Sequence, residues 1–133
     1  MDWTIGDISQ RSGVNVETIR YYEREGLMPR PPRTASGRRA YAPADLRTLT
    51  FIRKARELDF NLEETRALLA LRGPDNSCTD VKAIAQKHLE KVRSQMTRIV
   101  EVERILSDAV ARCPGGPTKN CTLLEFLEKA EHG

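Results

Sequence analysis

The stretch TIGDISQRSGVNVETIRYYEREGL, residues 4–27, decides the fold. Thr4 has a hydroxyl to cap a helix, Asp7 three residues on completes the capping box, and Gly13 supplies the stop. The spacing predicts a first helix over residues 5–12, a turn at Gly13-Val14-Asn15, and a second helix capped by Asn15 that runs to Glu25 before Gly26. Two short helices joined by a glycine-containing turn form a helix-turn-helix. Ile5, Ile8, Val14, Val16, Ile19 and Tyr22 are its expected core, which leaves Thr18, Arg20 and Tyr21 near or on the outer face.

Beyond Met28, the prolines Pro29, Pro31 and Pro32 and the Ser36-Gly37 pair break helix and predict a hairpin-like wing carrying Arg30, Arg33, Arg38 and Arg39. Pro43 and Asp45 then open a third helix over about 44–58, and Asn61 with Glu64 opens a fourth that ends at Arg72 before Gly73-Pro74. Trp3 is expected to anchor the head rather than stack on a base. Residues 79–112 contain neither Gly nor Pro and predict one long helix. Val81, Ala85, Leu89, Val92, Met96 and Ile99 step by four and three, and Val102, Leu106 and Ala109 resume the stripe after one shift. Such a stripe needs a partner, and the pattern predicts an antiparallel coiled coil between two copies. His88 is expected to be a structural residue of this arm, exposed or in the seam, and His132 a tail residue. After the break at 113–117, Leu123, Leu124, Phe126 and Leu127 predict a short terminal helix folded back on the arm. The expected domains are 1–74, 75–112 and 113–133.

Charge and cysteine content narrow the function. Net charge is only +3, but residues 1–60 carry 11 Arg or Lys against 8 Asp or Glu, while residues 61–133 are balanced at 11 and 11. Between Arg11 and Tyr41 stand seven arginines, no lysine and three acids, a bias toward planar recognition of phosphate. No apolar run is long enough to span a bilayer, and the opening MDWTIGD lacks the basic and apolar regions of a signal peptide, so a cytoplasmic protein with no membrane association is expected. The chain has no Ser-His-Asp set, no phosphate-cradling glycine loop and no paired carboxylates in a pocket-forming context, which argues against an enzyme.

The three cysteines, Cys78, Cys113 and Cys121, are too few and too odd in number for a disulfide framework in a reducing compartment. A 34-residue helix from 79 to 112 spans roughly 50 Å, so one copy cannot gather all three. Two antiparallel copies place Cys78 of one beside Cys113 and Cys121 of the other. Three thiols meeting in this way are expected to form a soft-metal site. A free cysteine is often only a small buried apolar group, but the joint placement at helix start, helix end and loop argues against that here.

At this point the chain resembles the MerR family of transcriptional activators over nearly its whole length. The resemblance rests on Thr4-Ile5-Gly6-Asp7-Ile8, on Gly13-Val14-Asn15-Val16-Glu17-Thr18-Ile19-Arg20-Tyr21-Tyr22-Glu23 with Gly26-Leu27, on Arg39-Ala40-Tyr41 with Asp45-Leu46, and on the run Phe51-Ile52-Arg53-Lys54-Ala55-Arg56-Glu57-Leu58-Asp59-Phe60. It implies a mainly α fold: a winged helix-turn-helix head, a long dimerisation helix in an antiparallel coiled coil, and a C-terminal metal-binding loop with a short helix. It implies a homodimer that binds a pseudo-palindromic operator in double-stranded DNA and distorts it so that RNA polymerase can engage the promoter. By motif matching, Thr18, Arg20 and Tyr21 belong to the recognition helix, Arg38, Arg39 and Tyr41 to the wing, and Arg53 to the phosphate contacts.

The cysteine pattern resembles the metal-sensing branch of that family, in which two cysteines, here Cys113 and Cys121, bound an inducer loop. Cys78 at the start of the arm points to a divalent ion, and residues 114–120 contain no histidine of the kind zinc-type sensors add. Three thiolates without a harder ligand suit Hg(II) first, with Cd(II), Pb(II) and Zn(II) as alternatives. The loop's seven residues are closer in length to copper sensors. From another class, a thiol redox sensor is the competing reading.

Overall fold

The structure is a computed structural model, and it describes residues 2–113, 115–117 and 121–130. The chain divides into two compact units, Met1–Ala85 and Gln86–Gly133. That grouping carries the opening turns of the long helix with the head, whereas the sequence pattern places the head's end at residue 74.

In the first unit, helix α1 (Ile5–Ser12) begins where the capping signal lies. The Asp7 amide donates to Thr4 Oγ1 at 3.1 Å and the Thr4 amide to Asp7 Oδ2 at 3.0 Å. Gly13 ends the helix at φ 76°, a left-handed backbone that side chains disfavour. Helix α2 (Val16–Arg24) is capped by Asn15, whose Oδ1 accepts the Thr18 amide at 2.8 Å. The turn between them is held by two serines that the sequence pattern passed over. Ser9 Oγ donates to the Val14 carbonyl at 2.7 Å, and buried Ser12 Oγ accepts the Val14 amide at 3.1 Å.

The segment after α2 folds as a wing. Thr34 donates to the Arg38 carbonyl, Gly37 donates to the Thr34 carbonyl at 2.9 Å, and single antiparallel bridges join Arg33 to Arg39 and Trp3 to Tyr41. Among the described residues these bridges stand outside any regular strand, and the fold is mainly α. Helix α3 (Pro43–Glu57) starts on a proline that needs no amide partner, with Asp45 accepting the Ala42 amide at 2.8 Å. Helix α4 (Leu62–Ala70) opens on the expected Asn61–Glu64 box, reciprocal at 2.8 Å.

Helix α1 packs on α2 and α3, and α4 on α3. Between them Ile8, Val14, Ile19, Tyr22, Leu27, Met28, Tyr41, Leu49 and Ile52 form the buried core, with Trp3, Ile5, Leu46, Leu62 and Leu69 packed against it. Trp3 thus serves as a head anchor, and Arg11 lies over its ring at 4.5 Å. Val16 of the expected core is only half-buried.

Helix α5 (Cys78–Arg112) is the long helix, with Ser77 Oγ accepting the Thr79 amide at 3.0 Å at its start. Within this chain most of its apolar stripe is uncovered: Leu89, Met96, Ile99, Val102 and Leu106 are exposed, Val81, Val92 and Ala109 are half-buried, and Val110 beside the stripe is 76% exposed. His88, by contrast, is only 5% exposed, so the pattern's solvent-facing option for it does not hold. In the second unit, helix α6 (Thr122–Glu128) turns Leu123 and Phe126 toward Ile105 and Ala109 of α5 across a cleft edged by Arg104 and Arg112. His132 lies outside the described residues.

Replacing Ser12 by Ala leaves the Val14 amide of the helix-turn-helix without its partner. The head should lose about 1–3 kcal/mol, read as a lower urea midpoint at unchanged m value.

Candidate DNA-binding surface and metal-sensing cysteines

The surface offered to a ligand by the head is built from α2, the wing and α3. Arg20 projects from α2 with Glu17 Oε1 3.3 Å away, an exposed pair that contributes little to stability and leaves the guanidinium available. Arg20, Arg33, Arg38 and Arg39 line one groove together with Thr4, Ile5 and Gly37. Thr18 and Arg53 line a second concavity beside the helix-turn-helix turn, with Asn15, Arg56 and Glu57. Arg53 reaches Glu57 at 2.6 Å, and Tyr21 is exposed with the Arg24 guanidinium 5.9 Å from its ring centroid. The fold therefore places Arg20, Arg38 and Arg39 in one hollow and Thr18 and Arg53 in another, while Tyr21 lines neither. Sequence reasoning missed Arg33 and Arg56 as members. The signal for Arg33 was its place across the hairpin from Arg39.

Tyr41 is a correction. The resemblance puts it among the DNA contacts, but it is 0% exposed, its ring lies in the core and its hydroxyl donates to Glu23 Oε2 at 2.7 Å. A side chain so enclosed cannot touch DNA; it supports residues that can. Glu23, whose side chain is 2% exposed, takes its other donor from Arg39, which is ion-paired through Nη1 to Glu23 Oε1. A charge removed from water is stable only when paired and hydrogen-bonded, and Glu23 meets both conditions.

The cysteines occupy the places the pattern gave them. Cys78 is the first residue of α5 and is exposed, Cys113 follows the last residue of α5 and is exposed, and Cys121 caps α6 in a half-buried position. All three are free thiols. Between the latter two, Gly115 and Gly116 take successive left-handed backbones at φ 77° and 83°, which glycine adopts without strain. The expected loop, 114–120, is described only at residues 115–117; the rest lies outside the described residues. Among the described residues no three His, Cys, Asp or Glu side chains of one chain converge as a metal site. Thiols are soft donors, the chemistry that a thiophilic ion prefers.

The chain belongs to the MerR family. The family described as MerR HTH family regulatory protein matches residues 3–71, and that described as MerR, DNA binding, matches residues 46–109. Among curated relatives, the HTH-type transcriptional regulator HmrR of Sinorhizobium medicae is 39% identical over 126 residues, covering 94% of this chain and 86% of that protein. The mercuric resistance operon regulatory protein of Bacillus cereus is 37% identical over 131 residues, covering 97% and 99%. Among solved structures, the transcription regulator PbrR691 of Ralstonia metallidurans, in complex with lead(II), superposes with a TM-score of 0.81 at 36% identity, covering 94% of this chain and 98% of that one. The protein is a metal-responsive, DNA-binding transcriptional regulator and not an enzyme. Among the described residues no helix is long and apolar enough to cross a membrane.

Burial first, then the hydrogen bond to Glu23, push the Tyr41 phenol up from 10.0 to about 12. The folded head thus holds this proton more tightly than the unfolded chain. Its contribution is complete below pH 10.0 and is lost as pH rises through about 12. Tyr41→Phe should cost about 1–3 kcal/mol at neutral pH. The stability gap between wild type and Y41F, measured by denaturant titration, should stay constant below pH 10.0 and close above it.

Proposed function

We propose that the chain is a cytoplasmic homodimeric activator of a heavy-metal resistance promoter, with Hg(II) as its inducer. In this reading residues 1–74 read DNA, 75–112 dimerise and 113–133 sense the ion. The carrying observation is the placement of free thiols at both ends of one uninterrupted 35-residue helix whose apolar stripe is mostly uncovered within this chain. An antiparallel second copy covers the stripe and brings Cys78 of one protomer to Cys113 and Cys121 of the partner subunit, twice per dimer. Holding the ion between them ties the start of one arm to the loop of the other and changes the angle between the heads. The operator, a pseudo-palindrome in double-stranded DNA, is bent and untwisted at its centre, which realigns the promoter elements for RNA polymerase.

Thr18, Arg20 and Tyr21 enter the major groove on α2, and Arg38, Arg39 and Arg53 take phosphates. Support for a soft divalent ion comes from the donor chemistry and from similarity to a mercuric resistance regulator and to a regulator solved with lead(II). Cd(II), Pb(II) and Zn(II) are the alternatives.

Competitive titration of the reduced protein with these four ions, followed by thiolate charge-transfer bands, should rank Hg(II) first with three thiolates per ion. Zn(II) outcompeting Hg(II), or an oxidant replacing every metal as inducer, would sink the assignment. Cys78→Ser, Cys113→Ser and Cys121→Ser should each abolish metal response while DNA binding survives. Induction retained in any of them removes that cysteine from the site. Arg20→Ala should weaken binding to duplex DNA and lower the slope of log affinity against log salt by about one.

A further inference from the structure

Glu23 is acidic and enclosed, and so is no candidate for a DNA contact of its own. Its position is nonetheless unusual for a carboxylate in a basic reading head. It stands three residues after Arg20, just under one turn along α2, and both of its oxygens are occupied from the wing: Oε1 by Arg39, Oε2 by the Tyr41 hydroxyl at 2.7 Å. Those partners lie 16 and 18 residues away in sequence, so the contact joins two segments distant along the chain. Arg39 stays 29% exposed at its side chain and still lines the groove with Arg20, Arg33 and Arg38. A guanidinium has five donors, and the contact with Glu23 engages Nη1, which leaves donors for phosphate.

We infer that Glu23 is a positioning residue for DNA binding: it clamps the wing to α2 and holds the Arg39 guanidinium beside Arg20 as one pre-aligned phosphate-binding pair. The inference rests on the reading that this groove faces phosphate. Two opposing effects give it a sharp sign. Glu23 cancels one positive charge in the groove, so if charge alone mattered, its removal would raise affinity and steepen the salt dependence. If it positions Arg39, removal does the reverse, because an unclamped arginine loses more in ordering than it gains in net charge. Tyr41 fixes the second oxygen and so prevents the carboxylate from turning away from Arg39.

The test uses the full chain and a fluorescein-labelled mixed-sequence duplex of about 40 base pairs, since phosphate contacts carry no sequence information. Affinity is measured from 50 to 200 mM salt for wild type, Arg39→Ala, Glu23→Gln, the double variant and Tyr41→Phe. Loss of one phosphate contact changes the fall in affinity across that range by about threefold to fourfold and the slope by about one. The expected result is that E23Q and R39A each weaken binding and flatten the slope alike, and that E23Q adds nothing in the R39A background. A merely structural glutamate would not show that non-additivity. Y41F should weaken binding in the same direction by less, which keeps the test decisive if E23Q does not fold. Unchanged binding by R39A overturns the phosphate reading of the groove and the inference with it. Weakened binding by R39A, with E23Q or folded Y41F equal to or tighter than wild type, overturns the positioning role alone.

Discussion

A carboxylate taken out of water has to be met by donors, and Glu23 finds both of its own in the wing. Much of the head is organised around that requirement. Tyr41 reaches Glu23 by filling the core with its ring, and the Tyr41 backbone in turn pairs with Trp3, the amide of each donating to the carbonyl of the other at 2.9 Å. The segment before α1, the core, the wing and the end of α2 thus meet within three residues, Arg39 to Tyr41. At the same end of α2, Arg66 of α4 donates to the Glu25 carbonyl at 2.7 Å, one of the last carbonyls that a helix leaves without a partner. The element that carries Thr18 and Arg20 is therefore fixed at its start by Asn15 and at its end by side chains from the wing and α4. A surface held this way meets a rigid duplex with little ordering cost at the moment of contact.

The two parts of the chain handle apolar surface in opposite ways. The head encloses Ile8, Ile19, Leu49 and Ile52 completely, and does so with residues of its own sequence. The long helix leaves Met96, Ile99, Val102 and Leu106 uncovered by its own chain, and full burial of such a side chain is worth on the order of 1.5–3 kcal/mol. Polar positions between them are occupied by local ion pairs such as Arg104 with Glu101 and Arg112 with Asp108. Such pairs support a helix without covering its stripe. A helix of this kind is designed by its pattern for a partner of matching pattern, and the chain itself supplies the nearest match.

How much was legible in the sequence follows from the range of each interaction. The bounds of α1 and the starts of α2 and α4 were readable because capping is settled within three or four residues, by Thr4 with Asp7, Asn15 with Thr18, and Asn61 with Glu64. The long helix was readable from the absence of Gly and Pro. Burial of Glu23 and Tyr41 was not, since periodicity treats a charged or polar residue as outward and has no access to a partner 18 residues away. The turn serines were missed for a related reason: Ser9 and Ser12 look like ordinary helix-surface residues until the chain doubles back and offers Val14 to them. Asp59, at φ 67° between α3 and α4, is a left-handed residue that a glycine would have announced and an aspartate did not. For the cysteines, positions along the helix were legible. Their convergence in the proposed site depends on a second copy.

That dependence has a physical consequence for sensing. A ligand shifts a conformational equilibrium only by the difference in its affinity for the two states. Thiols gathered within one chain would reach the heads only through a change inside that chain. Thiols divided between α5 of one copy and the loop of another bind well only in those arrangements that bring them to bonding distance, so affinity itself becomes a function of dimer geometry. The local structure favours this. Cys113 is tied to the end of α5 and Cys121 to the start of α6, and these helices face each other through Leu123, Phe126, Ile105 and Ala109, so the loop's two ends are anchored rather than free. In the proposed site, an anchored pair of thiols would leave the completion of three-fold coordination to the movement of one arm against the other.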